Sequence, residues 1–111
     1  MGLYKLYMIR GDRVVVTIDE VCTYLGIDYM DSMIEDNIQR IIKTADYILK
    51  GSIGENYPTD DPRAKELTLI IVNDLYENRY SESNTLTGNT RRLVDDMSLQ
   101  LRLELRRNKN G

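Results

Sequence analysis

Asp61-Pro62-Arg63-Ala64-Lys65-Glu66-Leu67-Thr68-Leu69-Ile70-Ile71-Val72-Asn73-Asp74-Leu75-Tyr76-Glu77-Asn78-Arg79-Tyr80 is the stretch on which the fold turns. Asp61 can accept hydrogen bonds from the free amides of a first helical turn, and Pro62 suits the first helical position, where no amide is needed. Leu67, Ile70, Ile71 and Leu75 form a stripe at helical spacing. Leu69 and Val72 add apolar groups on other flanks, so little of the middle of this helix can face water and a central place in the fold is expected. From Asn73 and Asp74 through Tyr76, Glu77, Asn78 and Arg79 the sequence turns polar, which predicts that this end emerges at a surface.

Upstream, Gly51 to Asp60 reads as a polar loop. Gly51-Ser52-Ile53-Gly54 lacks the Gly-Lys-Ser/Thr ending of a phosphate loop and follows a helix, so it does not indicate nucleotide binding. Asp60-Asp61 before Pro62 is better read as a cap than as cation ligands. Before the loop, Met30, Ile34, Ile38, Ile41, Ala45 and Ile48 step by three or four, broadened by Ile42 and Leu49. They predict the longest helix, from an Asp28 or Asp31 cap to Gly51. Asp36 with Arg40, and Asp46 with Lys50, sit four apart on its solvated side. Further back, Thr17-Ile18-Asp19-Glu20 is a capping box with a Val16–Val21 staple, and Gly26 is a left-handed stop for the short helix between them. Cys22 falls on its apolar side with Ile18, Val21 and Leu25, with no cation to activate it, and is read as buried and inert. Tyr4 to Ile9 and Arg13 to Thr17 are rich in Tyr, Ile and Val around Gly11-Asp12, which predicts an N-terminal β-hairpin. Arg10-Gly11-Asp12 is then a turn, not an integrin ligand.

Downstream, Ser81 to Asn89 predicts a mobile polar loop, and another helix starts near Asn89 or Thr90 with Leu93, Val94, Met97 and Leu101 inside. From Leu99 to Leu105 two rules conflict. The leucines alternate at strand period, while Leu, Gln, Arg and Glu all favour helix. Helix is expected to about Leu101, with helix and an extended edge both open beyond it. Arg102, Arg106, Arg107 and Lys109 make the end basic: a solvated tail is the simpler reading, phosphate contact the sharper one.

With 111 residues the chain is expected to form a single domain, 1–111, comprising a hairpin arm over 1–16 and a helical core over 17–107. The fold class expected is mainly α, a small bundle of about four helices with a minor N-terminal β-hairpin. A 30% charged composition speaks against membrane or disordered classes, and a net charge of −3 gives no general attraction to nucleic acid. No export or membrane signal is read, and the single cysteine excludes an internal disulfide, which favours an intracellular protein. With no His and no nucleophile motif, no catalytic, metal or cofactor site is expected.

The order of parts resembles the phage head–tail connector family, small adaptor proteins beneath the portal of tailed bacteriophages and prophages. The resemblance covers about residues 17 to 103. It runs from Thr17-Ile18-Asp19-Glu20-Val21 through Tyr24-Leu25-Gly26-Ile27-Asp28 and the long helix Met33 to Leu49. It continues with Pro62 and the apolar helix ending in Leu75-Tyr76-Glu77-Asn78-Arg79, its most specific string, and with Gln100-Leu101-Arg102 within Leu93 to Leu103. Members often carry Thr-Gly after the long helix, where this chain has Gly51-Ser52-Ile53-Gly54. They also often end in an aromatic-rich, Pro-bearing segment, where this chain ends in Arg and Asn.

The resemblance implies a structural protein without catalytic activity, working in virion assembly and DNA packaging. It implies a homo-oligomeric, dodecamer-like ring that docks on the portal protein, extends the channel through which DNA passes without sequence-specific binding, and receives a tail or stopper protein. The location implied is the portal vertex of the virion, or the bacterial cytoplasm for a prophage product. No membrane partner is implied. Glu77 and Arg79 cannot face each other on one helix. Tyr76, Glu77 and Arg79 are therefore candidate subunit-interface residues, against the simpler reading that Tyr76 completes the core and Arg79 pairs locally. The competing function is a small nucleic-acid-binding or regulatory helical domain using its basic C-terminal helix on phosphates.

Overall fold

The structure is a computed structural model that describes residues 15–80 and 86–110, the side chains of 108–110 excepted. Among the described residues the chain forms four helices: α1 (Ile18–Leu25), α2 (Ser32–Ser52), α3 (Pro62–Glu77) and α4 (Gly88–Asn110). The protein is mainly helical, and no strand occurs among the described residues. Most of the expected hairpin falls on residues 1–14 and so lies outside the described residues. Its last part is corrected: Val15 and Val16 form a bend, not a strand, and are buried in the core. Residues at the foot of a helix that supply a staple are held by packing, which removes the need for a ladder.

Each of the first three helices begins where a side chain satisfies first-turn amides. The Glu20 amide donates to Thr17 Oγ1 at 3.1 Å and the Thr17 amide donates to Glu20 Oε1 at 2.9 Å, closing the capping box. Gly26, at φ 78°, stops α1 in the left-handed region that favours glycine. Asp31, not Asp28, caps α2, accepting from the Ile34 amide at 2.8 Å. Asp61 caps α3, accepting from the Arg63 amide at 2.8 Å, with Pro62 at the first position.

The central helix is α3, which packs against α1, α2 and α4, whereas α1 and α4 do not meet through their described residues. Its Ala64, Leu67, Thr68, Ile71 and Val72 are buried, and the Thr68 hydroxyl is satisfied by donating to the Ala64 carbonyl. Helix α2 contributes Ile38, Ile41, Ala45 and Leu49 to the same core, with Met30, Ile34, Ile42 and Ile48 packed at its edge. It runs one residue past Gly51, which is helical and not a cap. The Asp46–Lys50 pair forms at 3.2 Å, while Asp36 and Arg40 stay exposed and close no ion pair among the described residues.

The loop after α2 is more than a polar connector. Ile53 and Tyr57 are buried in the core, and the Tyr57 hydroxyl donates to Asp46 Oδ1 at 2.5 Å. A single ring with one polar tip is enough to anchor such a segment.

Helix α4 corrects two expectations and decides a third. It starts at Gly88 after Thr87, whose carbonyl accepts from the Arg91 amide at 2.8 Å, so the tail of the expected loop is already helix. Residues 81–85 of that loop lie outside the described residues. Its inner side is Val94, Met97, Ser98, Leu101 and Leu105, while Leu93 is exposed. The conflict over Leu99 to Leu105 resolves as helix, which continues to Asn110, so no extended edge forms there.

Candidate functional site

Three places concentrate polar chemistry: the far end of α3, the junction of α3 with α4, and the outer side of α4. Asn73 is exposed as expected of the polar end, but Asp74 is buried. Both of its carboxylate oxygens serve Thr87. The Thr87 amide donates to Asp74 Oδ2 at 3.0 Å and the Thr87 hydroxyl donates to Asp74 Oδ1 at 2.9 Å. The Asn78 side-chain amide donates to the Asp74 carbonyl at 2.8 Å, closing the C-terminus of α3. Asp74 is thus a clamp between the end of one helix and the start of the next. Sequence reasoning places it on a solvated surface. No spacing in the sequence ties Asp74 to Thr87, 13 residues further on, so the residues alone give no signal of it.

Tyr76, Glu77 and Arg79 end up in three environments. Tyr76 is half-buried against the core, Glu77 is exposed as the last residue of α3, and Arg79 is exposed just past it. The Arg79 guanidinium lies 3.9 Å from the centre of the Tyr76 ring and 4.7 Å from that of Tyr80, and donates to the Tyr76 carbonyl at 2.6 Å. A cation over aromatic faces at a helix C-terminus is favoured both by the ring quadrupoles and by the helix dipole. Arg79 therefore has local partners on its own chain. The same arrangement presents a flat surface of guanidinium and exposed Tyr80 at one end of the central helix.

At the opposite end of α3, Arg63 forks between two carboxylates. It donates to Asp61 at 2.9 and 3.1 Å, and bidentately to Glu104 of α4 at 2.6 and 2.8 Å. Hydrogen bonds from Arg63 hold the Asp61 and Glu104 carboxyls below the usual carboxylate range, and Glu104 and Asp61 in turn push the guanidinium up. A second cross-helix pair, Lys65–Glu20 at 2.7 Å, joins α3 to α1. Partial burial pushes the Glu20 carboxyl up, but Lys65 and the Thr17 amide overcome it, for a net shift downward. Burial, aided by the charge of Asp19, raises the Cys22 thiol, the opposite of what a reactive cysteine requires.

Arg102, Arg106 and Arg107 are all exposed on α4, and Lys109 lies in its last turns with its side chain outside the described residues. Four residues apart, Arg102 and Arg106 share one side of the helix. Asp95 and Asp96 interrupt the basic character nearer its start. No group of three or more His, Cys, Asp and Glu side chains among the described residues could hold a metal ion. No helix among them is long and apolar enough to cross a membrane. Comparison with protein-family models, with curated proteins and with solved structures finds no match to this chain.

Proposed function

We propose that this protein is a structural head–tail connector subunit of a tailed phage or prophage. In this reading, identical copies close into a ring under the portal protein, continue the DNA channel and receive a tail or stopper protein, with no catalytic step. The observation that carries the reading is the order of elements. A short capped helix, a long helix, a Pro-led central helix ending in Leu75-Tyr76-Glu77-Asn78-Arg79 and a last helix bearing Gln100-Leu101-Arg102 follow one another as in the family the sequence resembles. A ring needs two different patches per copy, joined head to tail. The tyrosine–arginine end of α3 supplies one such surface. Arg102, Arg106, Arg107 and Lys109 are the residues proposed to meet DNA phosphates, and Tyr76, Glu77 and Arg79 the residues proposed to meet a neighbouring copy.

The test is the native mass of the full chain over a concentration series. A closed oligomer of uniform size, broken by Arg79→Ala, is the expected result. A second reading, a small nucleic-acid-binding domain, is favoured by the exposure of all three described arginines at the end of α4. A chain that never assembles yet binds duplex DNA with a steep salt dependence would replace the first reading with the second.

A further inference from the structure

The outer face of α4 carries a pattern that a solvated helix does not need. Leu99 and Leu103 are each 46% exposed, and they sit one turn apart on the side opposite the inward-facing Val94, Leu101 and Leu105. The stripe they belong to reads Arg92, Asp96, Leu99, Leu103, Arg106, with steps of four, three, four and three, the spacing of a helix seam. Charge changes sign along it: Asp95 and Asp96 precede the leucines, and Arg106 and Arg107 follow them.

Eleven residues is close to three full turns, so Asp96 and Arg107 lie within about 20° of each other on one flank of the leucine pair, and Asp95 and Arg106 do the same on the other. All four are exposed, and none makes an ion pair among the described residues. A helix face with this layout is complementary to itself when turned end for end. About the level of Leu101, the reversal places Leu99 against Leu103 of the second copy, Asp96 beside Arg107 and Asp95 beside Arg106, each contact occurring twice. We propose that the outer face of α4 is a self-docking surface that pairs two copies of this chain antiparallel about a two-fold axis. The pairing goes beyond the ring and does not depend on it, and where it forms it takes Arg106 and Arg107 away from DNA phosphates, leaving that role to Arg102 and Lys109. A two-fold contact closes on itself, so it yields a dimer of free subunits, or joins two rings back to back if rings form.

Native mass of the full-length chain, with charge-reversed variants, tests the pairing. Asp96→Arg and Arg107→Asp each turn two attractions into two repulsions, and each is expected to weaken self-association at least about tenfold, halving the mass of whatever the wild type forms. Mixing the two variants restores it. The arginine introduced at position 96 of one chain then meets the aspartate introduced at position 107 of the other, and the unchanged Arg107 of the first meets the unchanged Asp96 of the second. The double variant, with both charges exchanged, also self-associates. These positions are exposed, and helical circular dichroism equal to the wild type's confirms that the variants fold. Wild-type protein that stays at monomer mass up to millimolar concentration overturns the proposal, as do single variants of unchanged mass or a mixture that fails to re-form the pair. A ring whose mass Asp96→Arg leaves intact sinks the pairing alone. A dimer that grows no further sinks the ring alone.

Discussion

Ser98 sits on the inner side of α4 with its hydroxyl buried and without a hydrogen-bond partner among the described residues. Leaving such a group unpaired costs of the order of 1–3 kcal/mol, and alanine fills nearly the same volume with better helix propensity. Ser98→Ala is therefore expected to stabilise the fold by about 1 kcal/mol, a rise of roughly 4–8 °C in Tm by thermal circular dichroism. A lower Tm would mean that the hydroxyl has a partner after all. Neither Ser98 nor Asp74 is legible from the residues alone. Both are polar in a sequence where polarity otherwise marks the surface, and each is buried by a neighbour that local spacing does not reveal. Thr17, Asp31 and Asp61 are legible because a cap acts within three residues of itself.

Among the elements, α4 is where period-based reading has the most to decide. Successive residues of a helix differ by about 100°, so leucines two apart point to nearly opposite sides. The alternation of Leu99, Leu101, Leu103 and Leu105 thus imitates a strand, while in fact it furnishes an inner pair, Leu101 and Leu105, and an outer pair, Leu99 and Leu103. The two faces are expected to respond differently to truncation. Leu101→Ala should cost about 2–5 kcal/mol, and Leu103→Ala no more than about 0.5 kcal/mol in the monomer, measured as urea midpoints at low protein concentration. Equal losses at both positions would contradict the assignment of faces. Helices α2 and α3 raise no such conflict, since Ile38, Ile41, Ala45 and Leu49 in the one, and Ala64, Leu67 and Ile71 in the other, step inward by three or four. The loop after α2 escapes a local reading because Tyr57, flanked by Asn56 and Pro58, gives no sign of reaching Asp46.

At the level of the whole molecule, ion pairs join α3 to its neighbours through Lys65–Glu20 and Arg63–Glu104, with Asp61 sharing the Arg63 guanidinium, and the three carboxyls among them are all shifted downward. A carboxyl whose folded value lies below its unfolded one stabilises the fold above the unfolded value, near pH 4, and that stability is lost as pH falls through the folded value. The stability curve is therefore expected to be flat from about pH 6 to 8 and to drop below about pH 5, and Glu104→Gln is expected to make the acid drop shallower. Urea midpoints at successive pH values measure it, and an unchanged acid slope in the variant would show that the Arg63 fork contributes nothing. Neither pairing can be read from spacing, because Arg63 and Glu104 are 41 residues apart and Glu20 and Lys65 are 45 apart.

The clamp of Asp74 on Thr87 fixes the start of α4 against the end of α3. Leu86, buried in the core one residue before Thr87, adds an apolar anchor beside the carboxylate's polar one. Two helices joined by a carboxylate and an apolar plug form a rigid corner, so exposed Asn73 and Asn89 on either side of it are the natural places for a pair of distance labels on this scaffold.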